Sequence, residues 1–285
     1  MDDVLGDGSL KVTRHGAVAA VTLDRPDKHN AINLAMWQAF ATLMPALADD
    51  DTVEAVLFRG PPGGPFSAGA DISEFTTLRR DPDDAQVYGE AVTSGERAVL
   101  AFPKPTVAMV EGFAIGGGSQ VALACDLRLC SPGARFGITP AKLGIVYALP
   151  STARLVDVVG PAWASWVLMT GDLVDAATAL RIGLVHEVCD DLEARTSELL
   201  ATLTSRAQVS LLGAKALIAK VTAGERGEDD AVRRHYSDSL HSPEYAEGVD
   251  AFLAKRPPDF RGARTAPRGA AAPPAGRRRS PDGRP

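Results

Sequence analysis

The sequence predicts an α/β fold with a helical C-terminal third. Two observations lead there. Up to residue 130, short runs rich in β-branched and small apolar residues alternate with segments whose apolar residues recur at helical spacing. From Asp190 to Lys255 the strand-like runs stop and only the helical spacing continues. Strands separated by helices favour crossover connections and an α/β core.

In chain order, Gly16 to Leu23 (GAVAAVTL) reads as a strand, and Asn33 to Leu47 as a helix that Pro45 breaks late. Val53 to Phe58 (VEAVLF) and Thr106 to Val110 are two further strands. Gly118 opens a buried helix, and Asp126 to Cys130 is the next strand. His241-Ser-Pro-Glu marks a helix entry, with Ser242 as N-cap and Pro243 in the first turn. Residues 261–285 (RGARTAPRGAAAPPAGRRRSPDGRP) hold no large apolar side chain. They cannot bury enough surface to offset their ordering entropy and are expected to be disordered. The chain thus divides into a core over 1–200, a helical lid or oligomerisation region over 201–260, and the tail.

At 285 residues, 45% hydrophobic and 23% charged, the composition is globular and excludes a collagen-like chain, a coiled coil or a wholly disordered chain. No apolar run approaches the roughly 18–20 residues of a membrane helix. The opening MDDVLGDGSL lacks the basic and apolar regions of a secretory leader. Cys125, Cys130 and Cys189 have no metal-ligand spacing and read as reduced thiols of a cytoplasmic protein. The tail carries seven Arg against one Asp, net +6, so the remaining 260 residues carry −12. An acidic body argues against nucleic acid as a partner, and the Arg-rich tail is read as solvated.

Two segments carry chemistry. Phe66-Ser-Ala-Gly-Ala-Asp-Ile72 follows a strand and a Pro/Gly-rich loop, and Gly69 permits a tight turn with close backbone approach. Val110-Glu-Gly-Phe-Ala-Ile-Gly-Gly-Gly-Ser-Gln120 runs from a strand end through Gly116–Gly118 into a helix, whose free N–H groups attract negative charge. Neither the dinucleotide-binding glycine spacing nor a phosphate-loop lysine is present. Converging, the two segments would offer one N–H each to a single oxygen, which is an oxyanion hole.

With these motifs the chain resembles the crotonase, or enoyl-CoA hydratase/isomerase, family from about Gly16 to Phe260. The likeness includes Leu23-Asp-Arg-Pro-Asp-Lys-His-Asn-Ala-Ile-Asn33, the two segments above, Phe136-Gly137, Leu143-Gly144, Leu168-Met-Thr-Gly-Asp172 and Ala251-Phe-Leu-Ala-Lys-Arg256. The resemblance implies a spiral of ββα units with a helical C-terminal trimerisation region, assembled as a homotrimer or homohexamer. It implies an acyl thioester of coenzyme A as substrate, with no separate cofactor and no metal. It assigns the oxyanion N–H groups to Ala70 and Gly117. It puts CoA contacts along Lys28 to Ala31 and from Ala68 through Asp71 to Ile72, and Gly116 and Thr139 are taken with them as substrate-binding residues. Phe252 and Lys255 match positions that touch the nucleotide end, often from a neighbouring subunit.

The sequence also departs from the family. Where hydratases of this family carry two glutamates, Gln120 and Pro140 stand, and neither transfers protons as a carboxylate does. Tyr147, in Thr139-Pro-Ala-Lys-Leu-Gly-Ile-Val-Tyr147, matches the methylmalonyl-CoA decarboxylase branch, although Ala70 and Gln120 do not. Loss of carbon dioxide from a malonyl-type thioester gives the enolate without a base. Decarboxylation with Tyr147, Gln120 and Thr139 is therefore slightly favoured over an enoyl-CoA hydratase or isomerase with a displaced acid. Glu74, Glu90 and Glu96 are the candidates for such an acid, each read first as a solvated helix charge. A CoA-ester binding protein without catalysis is the third reading.

Overall fold

A computed structural model describes residues 3–266. Its main sheet has seven strands. Asp3–Leu5, Leu10–His15 and Val18–Leu23 pair antiparallel. From Val18–Leu23 onward the neighbours Ala55–Arg59, Thr106–Val110, Leu127–Cys130 and Glu187–Val188 are all parallel. The parallel strands are buried on both faces, which explains why they read as continuous apolar runs. Gly16, expected to start a strand, is instead the hairpin turn at φ +61°, and the Leu10–His15 strand before it escaped the sequence reading.

The helix expected to break at Pro45 runs unbroken from Leu34 to Asp49. Pro45 lies on the exposed face of the helix, and Ala41, whose carbonyl it leaves without a helical donor, is only partly buried. The cost of a helical proline, about 3 kcal/mol, is offset by the burial of Leu43, Met44 and Leu47 around it, at about 2 kcal/mol each. This helix packs against Pro82–Leu100, the most extensive helix pairing in the fold.

A second sheet of three short strands, Phe113–Ile115, Arg135–Gly137 and Val174–Asp175, stands beside the first. A single bridge, Ser67↔Ala114, connects it to the 66–72 segment, and a second, Ile32↔Ala70, ties that segment to the 25–33 loop.

After Asp190 the chain is helical, as expected, over Leu192–Thr204, Gln208–Thr222, Asp230–Leu240 and Pro243–Leu253. Ser242 caps the last of these, its Oγ accepting from Tyr245 N at 3.0 Å. The expected disorder from residue 261 is corrected at its start: Phe260–Thr265 is a helix, and Arg264 bridges the buried Glu54 and Glu244. The rest of the tail lies outside the described residues. Among the described residues, no helix is long and apolar enough to cross a membrane, and the three cysteines are buried and free.

Candidate active site

The fold brings the two glycine-bearing segments side by side. Ser67 N donates to Phe113 O and Ile115 N to Ser67 O, both at 3.0 Å. The approach demands glycine: Gly69 has φ +111°, and a Cβ there would lie 2.9 Å from Ile115 O. Gly116 has φ +51°, and Gly117 begins the helix Gly117–Ala124. A Cβ on Gly117 would lie 3.5 Å from Ala70 N and 3.2 Å from Trp37 Cζ2. Among the described residues, the N–H groups of Ala70 and Gly117 donate to no protein acceptor. The Gly117 amide is free because a first-turn helical N–H has no intrahelical partner. Two unsatisfied donors thus stand next to each other, as the motif order predicts.

They line a cavity of about 430 Å³. Of the residues singled out in sequence, Ala68, Ala70, Ile72, Gly116, Gly117, Gln120, Thr139 and Tyr147 also line it. Lys28, Ala31, Asp71, Phe252 and Lys255 do not. Lys28 is exposed at the neighbouring loop, its Nζ 3.3 Å from Ser73 Oγ. Asp71 is buried and occupied: it caps the turn at Ser73 N and pairs with Arg25 at 2.8 Å. Arg25, which sequence reading passed over, also donates to Ala31 O at 2.7 Å and so ties the 25–31 loop to the 68–72 segment. Phe252 is 83% exposed, away from the cavity of its own chain.

Glu96 corrects the expectation of a solvated charge. It is buried, and Oε2 accepts from Gln120 Nε2 at 2.7 Å and from Ser151 Oγ at 2.6 Å. Gln120 Nε2 also donates to Ser151 Oγ at 2.9 Å. Gln120 and Ser151 line the cavity, so Glu96 lies one hydrogen bond behind its wall. Burial pushes its carboxyl above the ordinary range, against the lowering effect of Ser151, Gln120 and Arg154. Gln120 now has a physical reason: a second carboxylate there would face Glu96, whereas an amide donates to it. A signal for Glu96 existed in the sequence. Tyr88, Val92, Gly95, Glu96 and Val99 share one helical face, and a carboxylate on an otherwise apolar stripe is not solvated.

The other candidates behave differently. Glu90 is exposed and accepts from Gln86 at 2.8 Å. Glu74 is half-buried and accepts from Leu34 N at 2.9 Å, its carboxyl also raised by burial. Tyr147 has its hydroxyl buried without a hydrogen bond of normal geometry; burial raises it, Glu96 nearby adds to the effect, and the neighbouring Ser151 hydroxyl opposes it. Among the described residues, no group of three or more His, Cys, Asp or Glu is placed to hold a metal ion.

Comparison with known proteins finds relatives along most of the chain. The profile described as "Enoyl-CoA hydratase/isomerase" matches residues 13–263. A carnitinyl-CoA dehydratase of Citrobacter koseri is 33% identical over 261 residues, covering 89% of this chain and 98% of that protein. A crystal structure described as an enoyl-CoA hydratase/carnithine racemase from Magnetospirillum magneticum superposes with a TM-score of 0.85 at 34% identity, over 88% of this chain and 95% of the other. An enoyl-CoA hydratase from Bacillus anthracis superposes with a TM-score of 0.81 at 25% identity, over 89% and 99% of the two chains.

Proposed function

The chain belongs to the enoyl-CoA hydratase/isomerase family, and from that premise we propose that it is an acyl-CoA lyase of the hydratase type, adding water to or removing it from an enoyl thioester. The observation that carries the reading is the buried Glu96–Ser151–Gln120 cluster at the wall of the cavity that holds the free Ala70 and Gly117 amides. The preference for decarboxylation rested on Tyr147 and on the lack of a carboxyl group at the site, and Glu96 removes the second ground.

In this reading the thioester oxygen accepts from the Ala70 and Gly117 N–H groups. Water attacks Cβ, the double-bond electrons move onto the thioester oxygen, and the two donors hold the resulting enolate more tightly than the neutral carbonyl. The water proton passes to Ser151 Oγ as the Ser151 proton passes to Glu96 Oε2. Collapse of the enolate takes a proton back at Cα by the reverse transfer. One carboxyl group with a raised pKa thus takes and returns the same proton. Gln120 holds both oxygens of the relay in place. Lys28, Ala31, Ala68 and Ile72 flank the thioester side, and in a homotrimer or homohexamer Phe252 and Lys255 would serve a neighbouring chain's CoA.

Purified protein should convert crotonyl-CoA to the hydrated ester, followed by mass spectrometry. Glu96→Gln should lower kcat by about 10²–10⁴-fold with little change in ester binding. Loss of the acid limb of the kcat pH profile in that variant would separate a proton-transfer role from a structural one. Full activity in Glu96→Gln would end the reading. Decarboxylation stays as a second reading on one observation, the buried Tyr147 hydroxyl at the cavity. Carbon dioxide loss from methylmalonyl-CoA, without hydration of crotonyl-CoA, would favour it. Binding of both esters with no turnover would favour a binding protein.

A further inference from the structure

Trp37, Phe75, Arg79 and Tyr88 line the cavity, with Trp37 Cζ2 beside Gly117. Arg79 is half-buried, with its guanidinium carbon 4.6 Å from the Phe75 ring centre and 5.7 Å from that of Tyr88. Among the described residues it has no carboxylate within salt-bridge distance, unlike Arg25, Arg59, Arg195 and Arg256. Trp37 and Tyr88 are 1% and 5% exposed; the indole N–H and the phenol hydroxyl lie near each other, and neither makes a hydrogen bond of normal geometry. No Asp or Glu lines the cavity, and its two charged lining residues are Arg79 and Lys142. Asp81, two positions after Arg79, accepts from Asp84 N, Glu74 accepts from Leu34 N, and Glu96 lies behind Gln120 and Ser151.

Such a wall has donors and positive charge but no carboxylate. Unpaired buried donors are costly unless a ligand completes them. An arginine stacked on two rings keeps its N–H edge free for a carboxylate. The same stacking occupies the aromatic faces that would otherwise receive a cationic group. We propose that this cavity selects an acyl-CoA whose acyl chain ends in a carboxylate, held by Arg79 with Trp37 and Tyr88. The proposal rests on the reading of the cavity as an acyl-CoA site, but not on Glu96 or on which reaction follows.

The test uses saturated esters, which the hydratase reaction cannot turn over, so that binding is read alone by calorimetry. Glutaryl-CoA and pentanoyl-CoA differ only in the terminal carboxylate against a methyl group. Wild type should bind glutaryl-CoA about tenfold or more tighter, and a trimethylammonium-terminated acyl-CoA most weakly. In Arg79→Met the ratio should collapse to about twofold or less, and Arg79→Lys should restore part of it. Equal affinity in wild type, or tighter binding of the trimethylammonium ester, would overturn the proposal. So would a preference that survives Arg79→Met. If Arg79→Met weakened both esters equally, the arginine would be serving a CoA phosphate common to both, and the proposal would fail. Absence of binding by any CoA ester would overturn the acyl-CoA reading itself, which is a distinct result.

Discussion

At position 96 a carboxyl group is enclosed by apolar helix neighbours and held by a serine and an amide. An unfolded glutamate titrates near about 4.3. Below that value the proton is bound in both states and burial has no ionic cost. As pH rises through the raised folded value, the folded state must ionise a buried group and stability is lost. Glu96→Gln keeps the shape and both acceptor contacts but removes the titration. Its melting temperature should exceed that of wild type by about 2–4 °C at pH 8, for about 1 kcal/mol, with the gain shrinking toward pH 5. A variant less stable than wild type at pH 8 would show that the charged oxygen is needed for structure. The sequence left Glu96 as one of three candidate acids, marked only by its place on an apolar helical face, while Ala70 and Gly117 stood in a motif. A backbone donor site needs glycines in a fixed order, which leaves a motif. A buried acid needs only a helical face and partners from distant segments, here residues 24 and 55 positions away.

Elements were legible where their signal was local. The Thr106–Val110 strand and the Ser242 cap stand where they were expected. Pro45 misled because its cost is local, whereas the burial that overrides it comes from the opposite face of the same helix. The Phe260–Thr265 helix was invisible for the same reason: its holdfast is Arg264 on Glu54 and Glu244, remote in sequence. Glu244 keeps two backbone donors, Gln208 N and Val209 N, each at 2.9 Å, but Glu54 is 4% exposed and would lose its main partner. Arg264→Ala should therefore cost about 2–3 kcal/mol, read as a lower urea midpoint at unchanged slope. Truncation after Ala266 should leave the midpoint where it is. A shift on truncation equal to that of Arg264→Ala would mean that the tail, and not this ion pair, secures the end of the chain.

At the scale of the molecule, the C-terminal helices present Ile218, Val221, Leu240, Phe252 and Leu253 to solvent, all at least 49% exposed. Apolar surface of that kind on a single chain is suited to burial between copies. Light scattering should return three or six chain masses for the purified protein, and Phe252→Asp should lower that mass. A single chain mass in wild type would remove the subunit interface from the proposal. The helix Pro82–Leu100 has a role that crosses these scales. It carries Tyr88 to the cavity wall beside Arg79 and Glu96 to the Gln120–Ser151 cluster, eight positions or about 12 Å apart on one rod. Gly95 seats that rod on the main chain of Trp37, where a Cβ would come within 2.6 Å of the carbonyl oxygen. In the proposed reading, the side chain that meets the acyl group and the acid that moves the proton share that rod, so a shift of the helix that reshaped the cavity would also displace Glu96.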